Sequence, residues 1–153
     1  MNFMQEAIKE SEQNLETGHG GPFGAVIVKD GRIIGRGHNE VIKNNDPTCH
    51  GEIQAIRDAC RQLGTYDLTG CELYTSAEPC PMCLSAIIWA NIKTVYYGNS
   101  AKDAAAIGFR DDFIYHFIET GCTDTSVMIL TQMNRDEAIK IFQQYADKNM
   151  TIY

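Results

Sequence analysis

The fold is decided by two short stretches, Thr-Cys-His-Gly-Glu at residues 48–52 and Glu-Pro-Cys-Pro-Met-Cys at residues 78–83. They supply one imidazole, His50, and two thiols, Cys80 and Cys83. Three protein ligands with a fourth position left open are typical of catalytic zinc, whereas structural zinc is closed by four. Zinc lowers the pKa of water in the open position from about 15.7 to about 7. The two stretches therefore predict hydrolytic chemistry at neutral pH.

The cysteine pair has two other interpretations, a redox pair or a structural zinc knuckle. A redox pair does not require the accompanying His-x-Glu stretch. A closed structural site would need a fourth ligand, and the other four cysteines, at positions 49, 60, 71 and 122, form no second Cys-x-x-Cys. Each of those single cysteines is expected to be a small buried apolar residue. The combination of both stretches favours catalytic zinc.

Glu52 follows the histidine by two residues, is not needed as a ligand and is predicted to transfer protons. Both stretches are expected at helix starts, where partial positive charge favours the thiolates that zinc requires. Cys80 and Cys83 are three residues apart, so one helical turn points both sulfurs to the same side. Gly51 either lets a planar substrate ring approach the backbone or starts the helix as a flexible residue.

Length and charge limit the class of protein. A chain of 153 residues with a formal charge of −7 is expected to be a single domain, residues 1–153. The acidic total weighs against nucleic acid as a partner, because phosphate binding needs a basic patch. No apolar run approaches the roughly 20 residues that cross a bilayer, and the N-terminus lacks the form of a signal peptide. Reduced thiols favour a cytoplasmic location.

Hydrophobic periodicity predicts helices that alternate with strands. Asp30-Gly31 between two apolar runs predicts a hairpin. Strands are expected near residues 73–75, 95–97 and 127–130, and helices near residues 2–16, 48–63, 80–88, 111–119 and after Asn134. Asn134 is expected to open a capping box, and the last helix to bury Ile141 and Phe142. The alternation implies an α/β layer architecture with a largely parallel sheet beyond the hairpin.

The two metal stretches resemble those of the cytidine deaminase-like superfamily of zinc hydrolases. Further segments, similar to bacterial guanine deaminases, extend the resemblance over most of the chain: Gly-Gly-Pro-Phe-Gly-Ala-Val-Ile-Val at 20–28, Asn-Asp-Pro-Thr at 45–48, Leu-Tyr-Thr-Ser at 73–76 and Gly-Phe-Arg-Asp-Asp-Phe-Ile-Tyr at 108–115. The last of these and the terminal Tyr153 point to the guanine branch. Gly51 departs from that branch, which usually has Ala there; fungal-type cytosine deaminases have Gly.

The resemblance implies a three-layer α/β/α fold with a five-stranded mixed sheet, Zn²⁺ as cofactor and a homodimer. It implies conversion of a free purine base, guanine, to xanthine and ammonia, with metal-activated water attacking C2 and Glu52 shuttling protons. In the guanine branch the C-terminal segment is exchanged between subunits, and its last tyrosine closes the neighbouring pocket. Here that segment is the tail at about residues 147–153, whose apolar terminus at residues 150–153 ends in Tyr153. A tail packed on its own subunit is the alternative.

The resemblance also assigns roles outside the metal stretches. Asp111 resembles a second acidic residue that assists proton transfer to the leaving amino group, although sequence alone favours a helix N-cap. Asn39 resembles the amide that hydrogen-bonds the base, and sequence alone favours a turn residue. Phe23 and Trp89 match aromatic residues that wall the pocket; the alternative for both is core packing. Asn39, Phe23 and Trp89 therefore join Gly51 and the terminal tyrosine as expected substrate contacts.

Three other functions remain open. Another small-base deaminase, acting on cytosine or on an aminated triazine or pterin, would share the metal chemistry and differ in its pocket, and Gly51 supports cytosine. A tRNA adenosine deaminase shares the Glu-Pro-Cys and Asn-Asp-Pro-Thr stretches, but the charge of −7 and the apolar tail argue against it. The third is a non-enzymatic, zinc-stabilised binding module.

Overall fold

The computed structural model describes residues 1–153, which form two compact units, Met1–Tyr115 and His116–Tyr153. The elements follow one another in the order α1 Phe3–Thr17, β1 Gly24–Lys29, β2 Arg32–His38, α2 Val41–Asn44, α3 Gly51–Leu63, β3 Glu72–Ala77, α4 Pro81–Trp89, β4 Thr94–Asn99, α5 Ala101–Ala106, α6 Asp112–Glu119 and α7 Arg135–Asp147. Every helix falls short of the length and apolar character that a membrane span requires.

A four-stranded mixed sheet lies in the first unit, in the order β2-β1-β3-β4. β1 pairs antiparallel with β2 and β3. β3 pairs parallel with β4, and helix α4 connects these two strands along the chain. The predicted mixed sheet is confirmed, but the predicted fifth strand at residues 127–130 is wrong. The amides of Val127 and Met128 both donate to the Asp124 carbonyl in a turn. They are therefore not available to the ladder of a neighbouring strand.

Helices cover both faces of this sheet, which gives the three predicted layers. Alternate residues of a strand point to opposite faces, and those of β1 enter two different apolar clusters. Ala25 and Ile27 belong to the cluster that contains residues of α3 and α4, whereas Val26 and Val28 pack with Ala7 of α1. Because both faces are buried, β1 is a continuous apolar run rather than an alternating one.

The β1–β2 hairpin turns at Asp30-Gly31, as predicted. Both residues have positive φ, 49° and 73°, which is the backbone that favours Asp-Gly in a two-residue turn. At the other end of the hairpin the Asn39 amide donates to the Phe23 carbonyl at 2.9 Å. The hairpin thus places two of the expected substrate contacts next to each other.

Helices α3 and α4 begin directly at the two metal stretches. His50 is the N-cap of α3 and Cys80 is the N-cap of α4, both with extended backbone. The start of α3 is Gly51 rather than residue 48 because the Asp46 side chain accepts both the amide and the hydroxyl of Thr48 in a turn. The predicted placement of both motifs in first helical turns is confirmed.

The second unit leaves the apolar side chains of its last helix uncovered. No residue of α7 is buried, and Ile141 and Phe142 are 63% and 74% exposed. The prediction that this helix buries them is therefore wrong for the single chain. The predicted capping box is wrong as well, because Asn134 adopts a left-handed backbone with φ 55° and its side chain makes no cap hydrogen bond. An apolar stripe of this kind suits contact with another surface.

Candidate active site

Three potential metal ligands converge where α3 and α4 begin. The Nδ1 atom of His50 lies 3.5 Å from the Sγ atoms of both Cys80 and Cys83, and the three ligand atoms lie within 4.8 Å of one another. Zinc bonds of about 2.3 Å to sulfur and 2.0–2.1 Å to nitrogen in a tetrahedron separate N and S by about 3.5 Å. The residues therefore fit Zn²⁺ in both ligand type and spacing.

The charge state of the two thiols also suits a cation. A hydrogen bond from Cys83 is the largest cause that lowers the pKa of Cys80 to about 4, and the bond to His50 adds to it against the opposing effect of burial. The bond between the two sulfurs, together with burial, raises the pKa of Cys83. The contact with Cys80 raises the pKa of His50. Since metal ligands must be deprotonated, a divalent cation here would replace protons that these groups now hold.

Glu52 lies in the first turn of α3 and is buried. Burial is the main cause that raises the pKa of its carboxyl, and the negative Cys80 sulfur adds to the effect. The carboxyl also forms part of the wall of the pocket described next. Such a position suits a group that exchanges protons with a bound molecule.

A pocket of about 600 Å³ in the first unit includes two metal ligands, His50 and Cys80, in its wall. This volume lies within the range of about 300–1,000 Å³ that small-molecule sites occupy. The wall combines glycine and apolar residues with a few polar groups: Gly20, Gly21, Pro22, Phe23, Asn39, Val41, Ile42, Pro47, His50, Glu52, Ala77, Glu78, Cys80, Ala101, Ala104, Phe109, Arg110 and Asp111. Such a mixture suits a flat, polar heterocycle.

Asn39 is buried and its carboxamide has one defined orientation. Its Oδ1 accepts the Val41 amide at 3.1 Å, which leaves the NH₂ group to donate to a ligand. Its backbone carbonyl accepts the Asn14 side chain at 2.9 Å. Gly20 packs directly on this carboxamide, since a Cβ at Gly20 would lie 2.8 Å from Asn39 Cγ. Asn39 is therefore a turn residue at the pocket wall, and its role as a donor to a ligand stays a prediction.

Two phenylalanines and a second carboxylate complete the wall. Phe23 and Phe109 pack edge to face with ring centroids 5.0 Å apart, a favourable aromatic geometry. Asp111 directly precedes α6, and its carboxyl lines the pocket. Burial, followed by the negative Cys80 sulfur, raises the pKa of Asp111. A carboxyl with a raised pKa is better suited to carry a proton near neutral pH.

Two residues that were not among the expected site residues anchor the loop at residues 78–80, which joins β3 to α4 and is called the metal loop below. The Glu78 carboxylate lines the pocket and accepts the Ala101 amide at 2.9 Å. The Tyr115 hydroxyl donates to the Pro79 carbonyl at 3.1 Å. Two features of the sequence could have indicated them: Glu78 directly precedes the Pro-Cys pair, and Tyr115 ends the segment at residues 108–115.

Gly51 and Trp89, two expected substrate contacts, do not line this pocket. A Cβ at Gly51 would lie 3.1–3.3 Å from the backbone of Phe23 and Gly24, so close packing accounts for the glycine. Trp89 ends α4 and is 69% exposed. Tyr153 belongs to the second unit and is 79% exposed. For all three, contact with substrate stays a prediction.

Known proteins share both the metal motif and the fold. Residues 1–99 match the cytidine and deoxycytidylate deaminase zinc-binding region. Guanine deaminase from Bacillus subtilis is 48% identical over 94% of this chain and 91% of its own length. The X-ray structure of a guanine deaminase from that species superposes with a TM-score of 0.91, covering 100% of this chain and 99% of that one at 46% identity.

More distant relatives include other activities. A tRNA-specific adenosine deaminase from Aquifex aeolicus is 45% identical over 62% of this chain and 62% of its own length. A structure of guanine deaminase from Nitrosomonas europaea matches with a TM-score of 0.67 and 34% identity over 71% of this chain and 63% of that one. The matched zinc-binding region contains His50, Cys80 and Cys83, which the structure brings together. The chain therefore belongs to the cytidine and deoxycytidylate deaminase family of zinc-dependent hydrolases.

Proposed function

We propose that this chain catalyses the hydrolytic deamination of guanine to xanthine and ammonia. The observation that carries the proposal is the buried Glu52 side chain, which shares one pocket with two of the zinc ligands, His50 and Cys80, and with Asn39 and Asp111. A purine substrate is supported by the Bacillus guanine deaminase, whose likeness extends over 94% of this chain.

Each residue has a defined part in this reaction. His50, Cys80 and Cys83 would hold Zn²⁺, which would make a bound water acidic enough to lose a proton near neutral pH. Glu52 accepts a proton from the attacking water and delivers it to the ring nitrogen beside C2. Asp111 assists the second proton transfer, to the amino group that leaves as ammonia.

Binding of the base depends on a different part of the pocket. The fixed NH₂ group of Asn39 donates to an acceptor on the purine edge, and the ring of Phe23 contacts the base. A site built on buried hydrogen bonds rejects analogues that lack the matching group by about 10⁴–10⁵. Since the carboxamide of Asn39 does not titrate, substitutions of Asn39 are expected to affect substrate discrimination more than proton transfer.

The direct test is Glu52→Gln, which keeps the size of the side chain and removes the proton acceptor. Ammonia release from guanine is expected to fall by about 10²–10⁴-fold, the usual contribution of a general acid–base group. Zinc should stay bound at one ion per chain, because Glu52 is not a ligand. Glu16→Gln, at an exposed site on α1, is the matched control and should keep full activity. Undiminished turnover by Glu52→Gln would exclude this mechanism. A wild-type protein that binds zinc but releases no ammonia from any base would favour a binding module.

A panel of bases separates guanine from the alternatives. Gly51 no longer distinguishes them, because the backbone of Phe23 and Gly24 fills the space beside it. Ammonia should be released from guanine faster than from cytosine, an aminated triazine or a pterin. A preference for cytosine would move the function to another small-base deaminase. Conversion of adenosine in tRNA, with no reaction of free guanine, would favour the activity named for the Aquifex relative.

The assembly we propose is a homodimer in which the tail at residues 147–153 is exchanged and Tyr153 closes the neighbouring pocket, so that residues 1–153 act as one domain. The exposed apolar side chains Ile141, Phe142 and Ile152 of the second unit support a covering partner. The exposure of Ile88 on α4 supports it as well. The zinc thiols must stay reduced, which supports a cytoplasmic location.

Mixed dimers test the exchange. Glu52→Gln removes the proton acceptor from a subunit, and Tyr153→Ala removes the closing residue, so each pure variant should be impaired. In a mixed dimer, one pocket would keep Glu52 and receive an intact Tyr153 from the neighbour. Co-expression with different affinity tags should therefore restore activity in about one pocket of two, given the symmetry of a twofold dimer. No recovery in the purified mixed dimer would mean that the tail acts on its own subunit.

A further inference from the structure

The first turn of α6 connects Asp111 rigidly to Tyr115. The amides of Ile114 and Tyr115 donate to the Asp111 carbonyl at 3.0 and 3.4 Å. Residues four apart on a helix lie on the same face. A constraint on the Tyr115 side chain is therefore a constraint on the position of Asp111.

The Tyr115 side chain reaches the loop that carries the zinc ligands. Its hydroxyl donates to the carbonyl of Pro79 at 3.1 Å, and Pro79 directly precedes Cys80. The phenol is partly buried, and burial raises its pKa, with Asp111 and Glu78 adding to the effect. The hydroxyl therefore keeps its proton near neutral pH and stays a donor.

The metal loop at this point is itself well anchored. The Glu78 amide donates to the Asn99 carbonyl at 2.8 Å, and the Glu78 carboxylate accepts the Ala101 amide at 2.9 Å. These two bonds join the loop to the end of β4 and the start of α5. The Pro79 carbonyl is thus a fixed acceptor against which α6 can be positioned.

The residues on either side of Asp111 in the chain hold its position less firmly. Arg110 and Asp112 form an ion pair at 2.9 Å, but both side chains are mostly exposed, and such pairs contribute about 0–1 kcal/mol. Gly108, at φ 104°, has a backbone that glycine adopts freely. The bond between Tyr115 and Pro79 is a partly buried link from the helix that follows Asp111 to the metal loop.

We propose that Tyr115 is a positioning residue for deamination, which holds Asp111 at its working distance from the zinc site through the Pro79 carbonyl. This inference rests on the proposed role of Asp111 in the reaction. Tyr115 acts on the proton-transfer step rather than on base binding, because Asn39 and Phe23 are held by the β1–β2 hairpin.

Tyr115→Phe removes the hydroxyl alone. We expect kcat for guanine to fall about tenfold, with KM within twofold of wild type, since a misplacement of 1 Å can cost about 10²-fold. Zinc content should stay at one ion per chain. Tyr74→Phe is the matched control, because it also removes a hydroxyl that donates a hydrogen bond, to Glu72 at 3.0 Å. Neither Tyr74 nor Tyr115 lines the pocket. Tyr74→Phe should leave kcat unchanged.

A double-mutant cycle identifies the path of the effect. In an Asp111→Asn background, Tyr115→Phe should cause no further loss of kcat. Independent, multiplying losses would overturn the inference, as would a wild-type kcat in Tyr115→Phe or a loss of zinc from that variant. If wild-type protein releases no ammonia from guanine, the cycle is run on the base that it does deaminate. A wild-type protein inactive on every base would overturn the proposed function and the positioning role with it.

Discussion

Replacing Gly20 by alanine tests whether the orientation of Asn39 determines substrate binding. The added Cβ would lie 2.8 Å from Asn39 Cγ and 2.9 Å from its backbone carbonyl, whereas carbon atoms in contact are about 3.5–4.0 Å apart. The carboxamide must therefore move by about 1 Å. That movement breaks its 3.1 Å bond to the Val41 amide.

Two effects of Gly20→Ala follow. The Val41 amide is partly buried, so losing its partner should cost at most the roughly 1–3 kcal/mol of unfolding free energy that a buried, unpaired donor costs. A binding group displaced by about 1 Å lowers kcat/KM for guanine by up to about 10²-fold. Urea unfolding measures the first effect and ammonia release measures the second. Metal content should be unchanged, because Gly20 contacts none of the zinc ligands.

Gly31→Ala separates this effect from general destabilisation. Gly31 lies at the opposite end of the hairpin with φ 73° and has no neighbour within 4 Å of an added Cβ. Alanine there costs about 1–2 kcal/mol through backbone strain, and kcat/KM should be unchanged. A wild-type kcat/KM in Gly20→Ala, or equal losses of activity in both variants, would show that the orientation of Asn39 does not determine substrate binding.

Three further predictions concern the metal, the core and acid stability. Zinc binding at neutral pH should release at least about one proton, from the Cys83 thiol, and calorimetry in buffers of different ionisation enthalpy should detect it. Ile87 is 1% exposed, so Ile87→Ala should cost about 2–5 kcal/mol of unfolding free energy. A comparable cost for Ile88→Ala in the assembled protein would show that a partner covers Ile88. Hydrogen bonds from Thr48 lower the pKa of Asp46 in the folded protein. These bonds therefore stabilise the fold fully above the pKa that Asp46 has in the unfolded chain. The stabilisation is lost as the pH falls through the lower pKa of the folded state. Thr48→Val should therefore flatten the stability loss of wild type in that acid range, and an unchanged acid unfolding curve would contradict this.

The sequence predicts the cysteine pair of the metal centre because its geometry is local. Cys80 and Cys83 lie at the start of one helix, where a spacing of three puts both sulfurs on the same side. His50 lies 30 positions before Cys80, and only the tertiary fold brings it to them. The Asp30-Gly31 turn is local in the same sense as the cysteine pair, because two adjacent residues with positive φ define it. For the pair and the turn, a window of a few residues contains the physical cause.

The remaining features depend on contacts that no short window contains. Residues 127–130 are apolar like a strand, but a turn at Asp124 uses their first amides. Ile141 has the spacing of a core residue, yet the single chain leaves it 63% exposed. The bond from Tyr115 to Pro79 joins residues 36 positions apart. In each case, whether the residue is buried or paired depends on residues distant in sequence, or on a surface that another chain would supply.

Zinc held by three side chains would keep one position for water. X-ray absorption spectroscopy at the zinc edge, on protein purified with its metal, measures this coordination directly. We expect two sulfur ligands at about 2.3 Å and two lighter atoms at about 2.0–2.1 Å. One of the lighter atoms should be His50 nitrogen, and the other should be replaced when an inhibitor occupies the pocket. A metal-free protein, or a spectrum with a third sulfur or a second imidazole, would contradict this expected coordination.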